Sequence, residues 1–142
     1  EGHLRSGQAT LVPVDLGAVL VDGRLHWFVA HLVARRSWWR GRVVIAMNAQ
    51  FLGRWDVAPR GHPNDGRLDV LDGDVPLGTR RQVRSRLITG THLPHPGIEE
   101  RHVQALQVDL ARPTPIRLDG DLIGEARSLS LRVEPDALRC IV

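Results

Sequence analysis

The chain has 142 residues, a length that suits one domain with one buried core, and 42% of them are hydrophobic, as in an ordinary globular protein. All 19 basic residues are arginine, with no lysine and no tyrosine, which excludes a P-loop lysine, a Schiff-base lysine and a phosphate-clamping lysine within this chain. The formal net charge of +3 is too small to argue for nucleic acid, and the pI near 10.8 reflects guanidinium groups that do not deprotonate.

In chain order the reading is mainly β. Residues 10–15 form a short β-like run in which Pro13 points to an edge or a bulge. Residues 17–21 and 25–34 flank Asp22-Gly23, a strong hairpin signal because a type I′ turn needs positive φ at both central positions. Arg42–Asn48 is a continuous apolar run and reads as a buried strand. Residues 56–66 carry two prolines and two glycines and read as a loop, followed by a strand over 68–71. Residues 77–88 are the one credible helix, with Leu77, Val83, Leu87 and Ile88 as its apolar face and Gly90 as its cap. Pro94 and Pro96 mark a turn. Alternation returns from Val103, and Asp119-Gly120 turns a second hairpin between residues 116–118 and 122–123. Residues 129–133 and 138–142 close the chain. Short strands separated by turn signals predict a single β-sandwich domain over 1–142 with one short helix.

Cys140 is the only cysteine, so no internal disulfide forms and a reducing compartment is expected. The longest apolar runs are too short to cross a bilayer, and residues 1–20 lack a basic head followed by an apolar stretch. A cytoplasmic protein, soluble or peripheral at the membrane, is the expectation.

Four Asp-Gly steps occur in the chain, and the segments around two of them form a recognisable set. Residues 43–70, VVIAMNAQFLGRWDVAPRGHPNDGRLDV, carry Asn48, Gly53, Ala58-Pro59, Asp65-Gly66, Leu68, Asp69 and Val70 in order. THLPHPGIEERHVQALQV (91–108), IRLDGDLIG (116–124) and VEPDALRCIV (133–142) follow, and VDLGAVLVDGRLHWFVA (14–30) precedes. This ordered set resembles the C-terminal β-sandwich domain of the bacterial diacylglycerol kinase-like lipid kinases, which belong with the NAD kinase-like superfamily. The family's N-terminal ATP-binding domain, with its GGDGT phosphate loop, has no counterpart here, so the chain looks like that second domain alone, as a fragment or as a stand-alone copy.

The resemblance implies a role for two of the Asp-Gly turns. Asp121 stands where the family has the glutamate that serves as general base toward a lipid hydroxyl; an aspartate there is one methylene shorter, which withdraws the carboxylate by roughly 1.5 Å. The alternative is that Asp119-Gly120 only turns a hairpin and Asp121 flanks it in solvent. The loop 62–67 is implied to hold Mg²⁺ through the His62 carbonyl, the Asp65 carboxylate and the Arg67 carbonyl, a hard-cation set completed by water, or else to be a plain Asp-Gly turn. Asp22-Gly23 and Asp72-Gly73 match no catalytic position and read as turns.

His92, His95 and His102 lie close in sequence, but Pro94 and Pro96 break the regular spacing that zinc ligands need. Arg35-Arg36-Ser37-Trp38-Trp39-Arg40 combines side chains favoured at membrane interfaces and by phosphate-bearing partners, with packing of one tryptophan in the core as the plainer reading. Arg80, Arg81, Arg84 and Arg86 read as a solvated helical face. The expected function is the lipid-substrate side of a lipid kinase. Such a domain is inactive alone and uses ATP only through a partner ATP-binding domain, with a lipid substrate or membrane surface as its other partner. The alternative is a non-catalytic lipid- or partner-binding module that has lost the kinase.

Overall fold

The computed structural model describes residues 9–141. Residues 1–8 lie outside it, and so does Val142, the last residue of the expected final strand. Ten strands and one α-helix follow one another. They are β1 (Leu11–Val21), β2 (Arg24–Phe28), β3 (His31–Arg35), β4 (Val43–Met47), β5 (Phe51–Leu52), β6 (Trp55–Asp56), β7 (Leu68–Gly73), α1 (Leu77–Arg86), β8 (Ile98–Val103), β9 (Ala105–Leu118) and β10 (Asp121–Ile141). Eight of the strands form one antiparallel sheet in the order β2-β1-β10-β9-β3-β4-β7-β8, while β5 and β6 pair as a separate hairpin.

Two long strands make this sheet a sandwich. The first part of β9 pairs with β10 up to Asp109↔Ser128, and the pairing resumes at Thr114↔Ala126. The intervening residues of β9, ending in Pro113, are extra to the ladder, and such a bulge bends a strand. Beyond the corner β9 pairs with β3 through Ala34↔Ile116 and Leu32↔Leu118, and β10 after its own corner pairs with β1 over its C-terminal half. The strands β9 and β10 therefore pass from one layer to the other. Between the layers lie Val19, Phe28, Leu32, Val44, Leu68, Ile116, Leu129 and Leu131, all essentially inaccessible. Each such side chain contributes about 1.5–3 kcal/mol by leaving water. Gly17 sits opposite Phe28, and a β-carbon on it would run into the Phe28 ring.

The β-sandwich with one helix is as expected, and the helix begins at Leu77 as expected, continues as a 3₁₀ turn over Leu87–Thr89 and stops at Gly90 in the left-handed region. Both hairpin turns form with positive φ at Asp22 and Gly23 and at Asp119 and Gly120. Pro13 does sit beside an irregularity, a register shift between Val14 and Leu16.

Four expectations are corrected. Residues 25–34 are two strands, because the chain leaves β2 at Phe28 and re-enters the other layer at His31. The expected pieces at 122–123, 129–133 and 138–142 are, as far as Ile141, one continuous β10, whose bulges make it look interrupted in the sequence pattern. Asp72-Gly73 is no turn: both residues pair with β4 and β8, and Asp72 holds Arg42 through two contacts of 2.6 and 2.7 Å. Arg80 is no solvated side chain but is 7% exposed and pins α1. It donates to the carbonyls of Val75 at 2.6 Å, of Trp38 at 3.2 Å and of Gly41, and reaches Asp74 at 3.0 Å. The strand β8 and the hairpin β5–β6 had no clear alternation to announce them.

On the outer face of β3, β4 and β7 a second apolar group forms from Val33, Ile45, Met47, Val57, Ala58 and Leu71. The β5–β6 hairpin and α1 with its 3₁₀ turn cover it, Trp55 meeting Trp38 edge-on at 5.4 Å. Among the described residues no helix is long and apolar enough to cross a membrane.

Candidate functional site

The turn that carries Asp121 is held rigidly by its neighbour. The Asp119 carboxylate accepts three successive backbone N–H groups, from Val29 at 2.7 Å, Ala30 at 2.9 Å and His31 at 2.8 Å. The Asp119 N–H in turn donates to the His31 carbonyl at 2.9 Å. The crossover from β2 to β3 is thus clamped to the β9–β10 turn. Asp121 follows in register with Leu118, exposed, and makes no hydrogen bond or ion pair with the described residues. Its carboxylate is open to solvent.

Asn48 and Asp15 extend this clamp toward the second Asp-Gly turn. The Asn48 side chain donates to the carbonyls of Val29 and Asp15, both at 2.8 Å. Asp15 is 1% exposed, yet its carboxylate is satisfied, accepting from the N–H of Gly66 at 2.7 Å and of Asp136 at 2.9 Å. A buried carboxylate survives only with such partners. The Asp15 N–H reaches the Pro63 carbonyl at 2.9 Å, and the Asn64 amide turned toward Asp15 and Asp136 closes the set. The turn 119–121, the crossover 29–31, Asn48, Asp15 and the loop 62–67 therefore form one hydrogen-bonded end of the sheet.

Within that loop Asp65 Oδ1 accepts the Arg67 N–H at 3.0 Å, an Asx turn, with Gly66 at φ 69°. Asp65 Oδ2 lies 3.5 Å from His102 Nε2, whose other nitrogen, Nδ1, is 2.7 Å from the buried Asp69. His102 so bridges a surface carboxylate and a buried one. The Asp65 side chain is 29% exposed, and the His62 and Arg67 residues are exposed beside it. The His62 and Arg67 carbonyls belong to the same exposed loop as this carboxylate. Among the described residues no group of three His, Cys, Asp or Glu side chains is placed to hold a metal ion. The three clustered histidines have separate roles: His95 Nδ1 accepts the Gly97 N–H at 3.0 Å, His102 binds Asp69, and His92 is buried.

The other face of β4 and β7 carries a cavity of ≈ 100 Å³ between the sheet and α1, walled by Trp38, Trp39, Ile45, Trp55, Leu71 and Leu87. Arg84 roofs it, its guanidinium 5.1 Å from the Trp39 ring and 4.9 Å from the Trp55 ring. His92, 1% exposed, and the guanidinium groups of Arg80 and Arg84 are the polar side chains of its wall, and burial lowers the pKa of His92.

Asp121 and the loop 62–67, the candidates read from the sequence, lie at the same end of the sheet. Asp15, Asp119 and the His102 bridge were not singled out. The Asp-Gly step itself was the signal for Asp119, since its carboxylate emerges from a turn that faces the β2–β3 crossover.

No curated protein matches the chain. Among solved structures, a Bacillus anthracis str. Sterne protein taken to be a diacylglycerol kinase superimposes with a TM-score of 0.71 at 10% identity, covering 92% of this chain and 57% of its own. Another structure from that organism, described as a diacylglycerol kinase, gives 0.62 at 10% identity, with 92% and 53% covered. At that identity the likeness is one of fold, and the chain spans little more than half the length of these structures. The model of the YegS C-terminal NAD kinase beta sandwich-like domain matches residues 9–142. With nearly its whole length matched, the chain belongs to the family of YegS C-terminal NAD kinase β-sandwich-like domains.

Proposed function

We propose that this chain is the lipid-substrate side of a diacylglycerol kinase-like lipid kinase, with Asp121 as its general base. The observation that carries the reading is the contrast between two neighbouring carboxylates. Asp119 spends both oxygens on the backbone and fixes the turn, while Asp121 is held on that fixed turn exposed and unpaired. A general base needs both, a defined position and an open oxygen. Asp121 takes the proton of the lipid hydroxyl as that oxygen bonds to the γ-phosphorus of ATP held by a second domain, and ADP departs with the electrons of the broken bond. The cavity under α1 suits part of an acyl chain, since its walls are mainly aromatic and aliphatic, with Arg80 and Arg84 at its edge on α1 and burial lowering the pKa of His92.

The loop 62–67 would hold Mg²⁺ through the His62 carbonyl, the Asp65 carboxylate and the Arg67 carbonyl. A cation there would stiffen the loop that Asp15 ties to the Asn48 and Asp119 end of the sheet. The second reading is a binding module without kinase activity. It is favoured by the shorter Asp121 side chain and by the complete satisfaction of Asp15 and Asp119, which hold the fold whether or not chemistry follows.

Joining the chain to a family ATP-binding domain separates the two. The kinase reading expects phosphate transfer from ATP to diacylglycerol in the joined protein and none from the chain alone. A joined protein that binds both ATP and lipid yet transfers nothing would establish the binding-module reading.

A further inference from the structure

The end of the sheet opposite Asp121 has a different chemistry. In β3, His31 lies at the Asp119 end and Arg35 pairs with Val43 at the other, about 13 Å away along the strand. There the loop 36–42 faces the bend of β9 across an open groove of ≈ 490 Å³. Arg36, Arg40, Arg42 and Arg112 line it, with Asp74 as its one carboxylate.

Two of these charges are matched internally. Arg42 is paired with Asp72 at 2.6 Å, and Asp74 is engaged by Arg80 at 3.0 Å from outside the groove. Arg36 spends one N–H on the Pro113 carbonyl at 2.6 Å, which positions its guanidinium without neutralising it. Arg40 and Arg112 are exposed and make no ion pair with the described residues. Three uncompensated guanidinium groups thus lie along an open groove instead of converging in a closed pocket. Next to Arg40, Trp39 is 44% exposed.

We propose that this arginine groove and Trp39 form a docking surface for an anionic phospholipid bilayer. Guanidinium groups match phosphate geometry with paired N–H donors, and several spaced along a groove suit a field of headgroups. The indole of Trp39 is the side chain that settles at headgroup depth, where one part of it is apolar and the other wet. A small phosphate ion would satisfy the arginines but leave Trp39 unused. The surface extends the lipid-side reading, yet it involves neither Asp121 nor ATP, so it stands or falls separately.

The test is co-sedimentation of the full chain with vesicles of phosphatidylcholine alone and with 30 mol% phosphatidylglycerol added, at about 50 and 500 mM salt. Binding is expected only to the anionic vesicles, weakening at high salt as exposed charges are screened. A polybasic contact contributes about 1 kcal/mol per arginine, roughly fivefold, so Arg40→Ala with Arg112→Ala should weaken partitioning about 25-fold. The matched pair Arg24→Ala with Arg139→Ala, the same change in net charge on β2 and β10 away from the groove, should bind like the parent. Trp39→Ala should weaken binding and abolish the blue shift of tryptophan emission on vesicle addition. Equal loss from both arginine pairs would overturn the proposal in favour of net charge alone. So would equal binding to neutral vesicles. Failure to bind vesicles while inorganic phosphate or a single-stranded oligonucleotide binds through Arg40 and Arg112 would replace the bilayer by that anion.

Discussion

Replacing Asp119 by alanine tests whether the turn beside Asp121 is held as the hydrogen bonds indicate. The substitution removes three backbone N–H contacts of 2.7 to 2.9 Å and leaves the β2–β3 crossover unclamped. Hydrogen bonds to charged acceptors contribute about 1.5–3 kcal/mol when buried, but these N–H groups lie near the surface, where water replaces part of the loss. About 1 kcal/mol each gives a total near 3 kcal/mol. Alanine also fits the observed φ of 49° less well than aspartate or asparagine, which adds to that cost. For a domain of this size the midpoint of thermal unfolding should fall by about 10 °C. Asp119→Asn keeps the backbone preference and one oxygen, so about half of the loss should remain. Asp121→Asn, two residues away on the same turn, should stay within about 0.5 kcal/mol of the parent because its carboxylate has no partner among the described residues. Urea titrations of the three variants measure the free energies, and thermal melts measure the midpoint. An Asp119→Ala variant as stable as Asp121→Asn would refute the clamp and, with it, the contrast on which the assignment of Asp121 rests.

Arg80→Ala should cost about 3 kcal/mol and reduce the helical signal in circular dichroism, since it removes the group that ties Val75, Trp38 and Gly41 to α1. Burial lowers the pKa of His31 and His92, with Asp119 partly offsetting this at His31 and Asp56 and Glu100 at His92. The unfolded imidazoles take up protons below about pH 6.5 while the folded ones resist, so these two groups leave stability flat above that pH and erode it below. His92→Leu should shrink the decline in urea midpoint between pH 6.5 and 5; an unchanged decline would contradict the burial effect. Millimolar Mg²⁺ should raise the unfolding midpoint slightly, by no more than about 1.4 kcal/mol at ten times the dissociation constant, and Asp65→Ala should abolish the rise. A rise that survives Asp65→Ala would place the cation elsewhere.

The parts of the fold that follow from local chemistry were legible in the sequence. Asp22-Gly23 and Asp119-Gly120 need positive φ, and the helix at Leu77 stops at a glycine in the left-handed region. Asp72-Gly73 misled because the same dipeptide can sit within a ladder, where Arg42 from the next strand fixes the carboxylate. The continuity of β10 was hidden by bulges that shift the alternation from one face to the other. Arg80 was misread because a guanidinium surrounded by carbonyls is indistinguishable in sequence from one in solvent. For the candidate site, Asp121 and Asp65 were proposed from the order of several motifs. Asp15 and Asn48 serve it through contacts 33 and 51 residues away in sequence, which no local pattern encodes.

The central claim is that Asp121 accepts the proton of a lipid hydroxyl, and the most direct measurement is transfer of labelled phosphate from ATP to diacylglycerol by the chain joined to an ATP-binding domain. Asp121→Asn should lower kcat by two to four orders of magnitude with lipid binding and stability unchanged, as expected for loss of a positioned general base. Asp121→Glu should retain or raise kcat. Full activity in Asp121→Asn would contradict the assignment.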